Sequence, residues 1–396
     1  MVAANPTPKR NVVSIGASSA AMGFTLSWKE NPPSTHRLIL IEVKTHYNWV
    51  YAFPRASVKS GFERELFIPY AGLFGYKDDV GKVVTARVTA IHKNHVELDR
   101  EVPEFGTRIE FDYLLYGAGT TIPQPGRLLS ETKAEGISIL KQYQKVIRES
   151  KQPIIIGGGA VGLELAAEIK EEYPDKQVTL IHSRSRYMAR YKQSLDSFTY
   201  GILKKLGVRQ IMGQRVNLPE GGFPLEVKPV EVTTKTGKKI QGDLAILCIG
   251  MTPNSELLGK LSSKSVNKQT KFVKVKDTMQ IDDDEYPHIF AAGDVIEHTD
   301  VKTGHFAWMQ GLTALNNILK LINGGSYDDL EPYVSKDVAL IKIALGEKEA
   351  VMQTNAWGPL VAVGTWIAGR SIPRNLYANF AWSWMDIPCD GEHFDL

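Results

Sequence analysis

An α/β fold with two Rossmann-like domains and a small α+β C-terminal domain is predicted by three observations on the sequence. Residues 154–181 read strand, Gly-x-Gly-x-x-Gly turn, helix, strand. Residues 12–42 repeat that order around a variant turn, SIGASSAA. A late apolar strand then ends in Gly293-Asp294 and precedes a helix-like segment. The expected domains are 1–121 with 256–325, 122–255, and 326–396.

Val12 to Ile15 form the first strand. Gly16 supplies the tight turn of a dinucleotide fingerprint, and Ser18 and Ala21 stand in its second and third glycine positions. The Ser18 hydroxyl can donate to a phosphate, while Ala21 sits where only close packing is required. Ala20 to Trp28 continue as a helix and Leu38 to Ile41 as a strand. Glu42 follows, where an acidic residue bonds a ribose hydroxyl. On this stretch alone a nucleotide site and a structural turn both stay open. FDYLLYGAGT (111–120) is an apolar strand ending in a small-residue turn with Gly119. Ile154 to Ile156 are a continuous apolar run, as a buried parallel strand should be. Gly157 permits the turn, Gly159 lets backbone N–H groups reach a pyrophosphate, and Gly162 lets helix and strand pack closely. Leu163, Ala166, Ala167 and Ile169 recur at helical intervals, and Val178 to Ile181 form the next strand. The helix N-terminus adds positive potential for phosphates. GDLAILCIGMTPNSELL (242–258) repeats the strand and turn, here with Gly250. HIFAAGDVIE (288–297) is followed by a helix from about Phe306 to Ile322.

The chain has 396 residues with 43% hydrophobic and 23% charged content, ordinary for a globular protein. A net charge of +3 is too weak to argue for nucleic acid. Six lysines between Lys260 and Lys276 read as a solvated stretch. Two cysteines, Cys248 and Cys389, exclude a disulfide framework and fit a reducing compartment. The N-terminus lacks a signal-peptide core, and the longest apolar stretch, Gly358 to Gly369, is short of a membrane span. A cytoplasmic location, with peripheral membrane contact left open, is the expectation.

Five motifs in this order resemble the two-dinucleotide-binding-domain flavoproteins of the pyridine nucleotide-disulfide oxidoreductase superfamily, over nearly the whole chain. The resemblance implies a glutathione-reductase-like arrangement, with non-covalent FAD on the first unit and NADPH or NADH on the second. Carried over by position, it assigns Gly16, Ser18 and Glu42 to FAD, Gly119 to the crossover turn and Asp294 to the flavin ribitol. Gly157, Gly159 and Gly162 go to the nicotinamide cofactor. Ser19, Ala20, Lys44, Gln310, Val161, His182, Arg184 and Gly250 are further expected cofactor contacts, and no metal is expected. The late helix would aim its N-terminus at the flavin pyrimidine, where its dipole favours an anionic reduced flavin by roughly 0.3–2 kcal/mol.

No cysteine pair is present, so glutathione-, thioredoxin- and lipoamide-type reduction and cysteine-based sulfide oxidation are excluded. The chain is similar to the apoptosis-inducing-factor-like group, above all the ferroptosis-suppressor family and its fungal members, through VGLELAAEIKEEYPDKQVTLIHSRS, SIGASSAA and VAVGTWIAGR…LYANFAWSWM. This implies an NAD(P)H-dependent quinone reductase. It places Glu164 near the nicotinamide, and Pro54 and Arg55 of WVYAFPRASV beside the flavin, with core packing open for the aromatics of that stretch. Some animal members carry Trp-Lys where Trp382-Ser383 stands here, so the acceptor step loses an ammonium. His182 replaces the carboxylate that usually ends the second strand, and Arg184 and Arg186 follow, which favours NADPH or dual use. Trp357, Trp366, Trp382 and Trp384, with Arg370 and Arg374, form a C-terminal group read as core, homodimer interface or membrane contact. The expected partner is a small-molecule electron acceptor, quinone or O2. Competing readings are a flavin enzyme for one small organic substrate, with Tyr51, Phe53, His305, Trp308 and Trp382 as its pocket, and a redox-sensing interaction protein.

Overall fold

A computed structural model describes residues 8–335, 340–355, 359–369 and 372–395. Its first layer is a five-stranded parallel sheet. The order is Ile289–Ala291, Tyr113–Tyr116, Arg10–Ile15, His36–Glu42, Gly81–Thr85. A second parallel sheet runs Arg209–Ile211, Thr179–Ile181, Pro153–Ile156, Leu244–Leu247. The all-apolar runs fall on buried central strands: Val12, Val13, Ile154 and Ile155 are fully or almost fully excluded from water. Each sheet gains an antiparallel annex, a meander of Val88–Ile91, His95–Val102 and Gly106–Glu110 and a hairpin of Val230–Thr233 and Lys239–Gly242.

The chain crosses between the sheets at one short antiparallel ladder, Thr120–Thr121 against Thr252–Pro253. Asn254 secures it: its N–H donates to Gly119 O at 3.0 Å and its side-chain amide to Ala118 O at 2.9 Å. The late helix spans Gly304–Ile322, starting two residues before Phe306, and packs along Ser19–Glu30.

Among the described residues, the C-terminal region packs its apolar side chains into the cores of the two units. Its antiparallel sheet, Ile341–Ala344, Ala350–Thr354 and Val361–Val363, sends Ile343 and Val351 into the apolar cluster of the second unit, joined by Leu345 from the connecting loop. Its last helix, Asn379–Trp384, sends Ala381 and Trp382 into the cluster of the first. The expected tryptophan–arginine group is thereby divided. Trp382 is fully buried, Trp384 packs among other aromatics, Trp366 is 79% exposed, and Trp357 and Arg370 lie outside the described residues. Lysines of the basic stretch face acidic partners: Lys260 with Glu256, Lys274 with Asp282, Lys276 with Asp284. Among the described residues no helix is long and apolar enough to cross a membrane.

Candidate functional site

The two glycine turns are built alike. Gly16 N–H donates to Ile41 O at 2.8 Å, and Gly157 N–H to Ile181 O at 2.8 Å. Gly117 N–H reaches Ile15 O at 2.9 Å, and Cys248 N–H reaches Ile156 O at 2.7 Å. Both turn glycines have positive φ, +92° and +118°, and a Cβ on either would collide with the neighbouring crossover strand's carbonyl. At the second glycine position the space is open. A Cβ at Gly159 meets nothing within 4 Å, and Ser18 is exposed with no side-chain capping bond. At the third position packing decides. Ala21 is 1% exposed, whereas a Cβ on Gly162 would lie 1.9 Å from Gly157 O.

The residue after the second strand ties down each turn. Glu42 accepts from Ala17 N–H at 2.9 Å and from Lys44 N–H at 3.1 Å. His182 does the same work in the second unit, its Nδ1 accepting from Gly158 N–H at 3.1 Å. Its Nε2 faces Arg186 O at 3.2 Å, so the neutral tautomer with the proton on Nε2 satisfies both contacts. Burial lowers its pKa, with Arg184 nearby adding to the effect. Arg184 is exposed beside it, while Arg186 spends its guanidinium on Ala189 O and Tyr191 O.

Three helices start at these turns and at the Gly-Asp strand: Ser19–Glu30, Ala160–Glu172 and Gly304–Ile322. None has a side-chain cap or an acidic residue in its first turn. Lys133–Glu149, by contrast, carries a full capping box from Thr132 and Glu135. Uncapped starts leave N–H donors and the positive dipole end for an anion. At the third of these starts Thr303 Oγ1 is buried without a partner.

Around that start the side chains converge. A Cβ on Gly304 would meet Tyr51 OH at 1.9 Å and Ser19 Oγ at 3.1 Å. Burial raises the pKa of both Tyr47 and Tyr51, and both phenols interact with the Ser19 hydroxyl. Tyr51 is nonetheless 42% exposed, so it lines a cleft walled by protein. Asp294 pairs with Arg127 at 3.3 Å. Trp384 packs on Tyr47, Trp49 and Trp308, with ring centroids 5.2–5.9 Å away. A cavity of about 310 Å³ opens where the three regions meet, lined by Arg190, Lys192, Asp300, Val301, Phe306 and Gln353 among others.

Glu164 lies on the second cofactor helix, where the Phe53–Ala56 turn packs against it. Burial, and then the charge of Glu168, push its pKa up to about 8. Arg55 occupies this junction differently from the expectation. It is 1% exposed, and its donors go to Glu168 Oε1 at 2.6 Å, Gly346 O at 2.7 Å and the carbonyls of Pro373 and Arg374. With all three nitrogens engaged and the side chain 1% exposed, it braces the three regions and is not presented to a substrate. Pro54 is buried in the same turn. Gln310 is likewise a support: buried, it accepts from Gly293 N–H at 3.0 Å and donates to Asp300 at 3.1 Å. Lys44 Nζ donates to the carbonyls of Leu128 and Ser130. Phe53 and Trp382 are fully buried, so they do not line the cleft, whereas Tyr51 and Trp308 do and His305 is exposed nearby. Ser383 is exposed and donates to Phe380 O at 2.7 Å. Gly119 and Gly250 occupy the two crossover turns, and Val161 lies half-buried next to Gly126.

Arg127, Thr303 and Gly304 went unread in the sequence. Arg127 follows the crossover by a few residues, and a lone cation in QPGR gives no periodic signal. Both cysteines have raised pKa values through burial, Cys248 to about 12 and Cys389 to about 11, so neither offers a thiolate.

The family model described as "Pyridine nucleotide-disulphide oxidoreductase" matches residues 10–311. Fe-regulated protein 8 of Mycosarcoma maydis is 32% identical over 378 residues, spanning 90% of this chain and 91% of its own. Ferroptosis suppressor protein 1 of Homo sapiens is 28% identical over 352 residues, 88% of this chain and 89% of its own. The solved structure of reduced Bacillus anthracis CoADR-RHD matches with a TM-score of 0.66 at 19% identity. That match covers 88% of this chain but 62% of the other, so the present chain spans less than two thirds of it, and the likeness is one of fold.

Proposed function

The chain belongs to the pyridine nucleotide-disulphide oxidoreductase family, and from that premise we propose that it is an FAD-dependent NAD(P)H oxidoreductase that passes two electrons to a quinone-type acceptor. One observation carries the reading. Two turns of the same construction each lead into a helix whose first N–H groups are left uncapped, and a third uncapped helix starts in the aromatic cleft. That is the donor set two dinucleotides require.

The residues fit both groups. Ser18 and the amides that follow it face open space for a pyrophosphate, with Gly159 and its helix serving the second. Asp294, steadied by Arg127, offers a carboxylate to a polyol chain. Thr303 Oγ1 and the Gly304 helix start present a hydroxyl and a dipole to a carbonyl that gains negative charge. A bound flavin would supply the two-electron redox chemistry that links the nicotinamide to the acceptor. The protein orients the two rings and excludes water. Glu164, on the second cofactor helix and protonated at neutral pH, holds a proton on its carboxyl oxygen there without adding a negative charge. The exposed ring of Tyr51, beside the half-buried Trp308, suits a flat acceptor. A neutral His182 beside an exposed Arg184 leaves nothing to repel a 2′-phosphate, so NADPH is the favoured donor.

Anaerobic titration tests this. NADPH should bleach the flavin absorbance of the purified protein, and a short-chain quinone should restore it faster than air. Arg184→Ala should weaken NADPH more than NADH. Failure of both nicotinamides to bleach the flavin would sink the reading, and restoration by air alone would replace the quinone with O2.

A further inference from the structure

We propose that His92, His95 and Glu97 form a binding site for one divalent ion of the zinc–copper class, on the hairpin joining Val88–Ile91 to His95–Val102. The site is separate from the nucleotide cradles.

The hairpin geometry brings the three ligands together. Ile91 pairs with Val96, and His92 N–H donates to His95 O at 2.8 Å, so Lys93 and Asn94 alone make the turn. His92 and His95 therefore face each other across the strands. Side chains alternate along a strand, so His95 and Glu97 share a face, and the fully buried Val96 marks the other. The two imidazole rings lie 4.2 Å apart with an interplanar angle of 8°. His92 Nε2 is 3.1 Å from Glu97 Oε1. One ligand atom from each residue lies within 4.8 Å of the others. Zinc bonds of about 2.0–2.1 Å in a tetrahedron hold ligand atoms about 3.3 Å apart. Small side-chain rotations close that gap and leave a fourth position for water.

Neighbouring charges leave Glu97 available. Arg108, opposite Glu97 in the meander, instead pairs with Glu110 at 2.5 Å. The third strand, Gly106–Glu110, stiffens the ligand-bearing strand from its other side. Two imidazoles and one carboxylate suit zinc, copper or nickel and not magnesium or calcium, which take oxygen ligands.

The test uses tag-free, flavin-loaded protein dialysed against a chelator. Calorimetric titration with zinc sulfate should show one saturable site. Copper(II) at one equivalent should give an electron paramagnetic resonance spectrum with coupling to two imidazole nitrogens. Loss of even an outer-shell partner costs about 10–100-fold in affinity. His92→Asn and His95→Asn should each raise Kd at least about tenfold for that reason, and Glu97→Gln should weaken binding as well. Flavin absorbance and metal-free melting should stay at wild-type values, which shows that the variants are folded. The proposal is overturned if zinc binding does not saturate, or if folded His92→Asn and His95→Asn variants bind as the wild type does.

Discussion

Glu164 shows how one residue's surroundings set its chemistry. Its carboxyl is crowded by protein and by Glu168, and its pKa rises to about 8. The sign of the effect on stability follows. A carboxyl whose folded-state pKa lies above its unfolded value favours folding at low pH, and that advantage is lost as pH climbs through about 8. Glu164→Gln imitates the neutral acid at every pH. The variant should therefore melt close to the wild type near about pH 5 and increasingly above it up to about pH 8, beyond which the gap stays constant. The alkaline limb of the wild-type rate near pH 8 should flatten in the variant. Parallel melting curves across that range would show that Glu164 is ionised throughout. The sequence named this residue through its place after the glycine turn. Glu168, one helical turn on, was readable as a neighbour, but the burial that dominates the shift was not, because Arg55 and Ala344 meet Glu164 only in the folded chain.

Helices Ser19–Glu30 and Gly304–Ile322 touch backbone to backbone, and glycines make that approach feasible. A Cβ on Gly311 would fall 2.0 Å from Ala20 O, and one on Gly23 would fall 2.5 Å from Trp308 O. Gly201, within Gln193–Lys205, meets nothing within 4 Å. The same substitution should therefore have opposite signs at the two sites. Gly201→Ala should stabilise by up to about 1 kcal/mol through helix propensity. Gly311→Ala gains the same propensity but overpacks the contact, a cost of about 1–3 kcal/mol. It should lower the urea midpoint and loosen FAD, because the displaced helix carries Gly304 and Thr303. Equal effects on the two midpoints would contradict the packing argument. Local signals account for what was legible at this scale. Apolar runs, glycine turns and helical spacing lie within about thirty residues of one another, and they placed both sheets. Gly23, Gly311 and Arg127 act on partners hundreds of residues away or carry no period, so their roles emerged only in the fold. The antiparallel meander was missed because its strands alternate irregularly and are half polar.

At the scale of the whole molecule, the alternation of two cofactor units was readable because the chain repeats one motif and crosses over twice at small-residue turns. The C-terminal region was not, since it divides its apolar residues between two cores. Arg55 joins all three parts. It comes from the first unit, pairs with Glu168 of the second and donates to three carbonyls of the C-terminal region. Both ends of the ion pair are 1% exposed, and Glu168 Oε2 has no hydrogen-bond partner. Burying two charges returns little net stability, but removing Glu168 strands Arg55, and removing Arg55 leaves Glu168 only Lys59, 3.9 Å from its Oε2, each at a cost of about 3–5 kcal/mol. Arg55→Met should therefore destabilise strongly, and Glu168→Gln by itself should do so as well. The double variant should lose much less than the sum, because no unpaired charge is left. Urea unfolding of the four proteins gives the coupling directly. If the single losses add, Arg55 acts through its three carbonyl bonds and the ion pair is incidental. A coupling of several kcal/mol would make the pair the joint that fixes the cofactor helix, with Glu164 on it, against the other two regions.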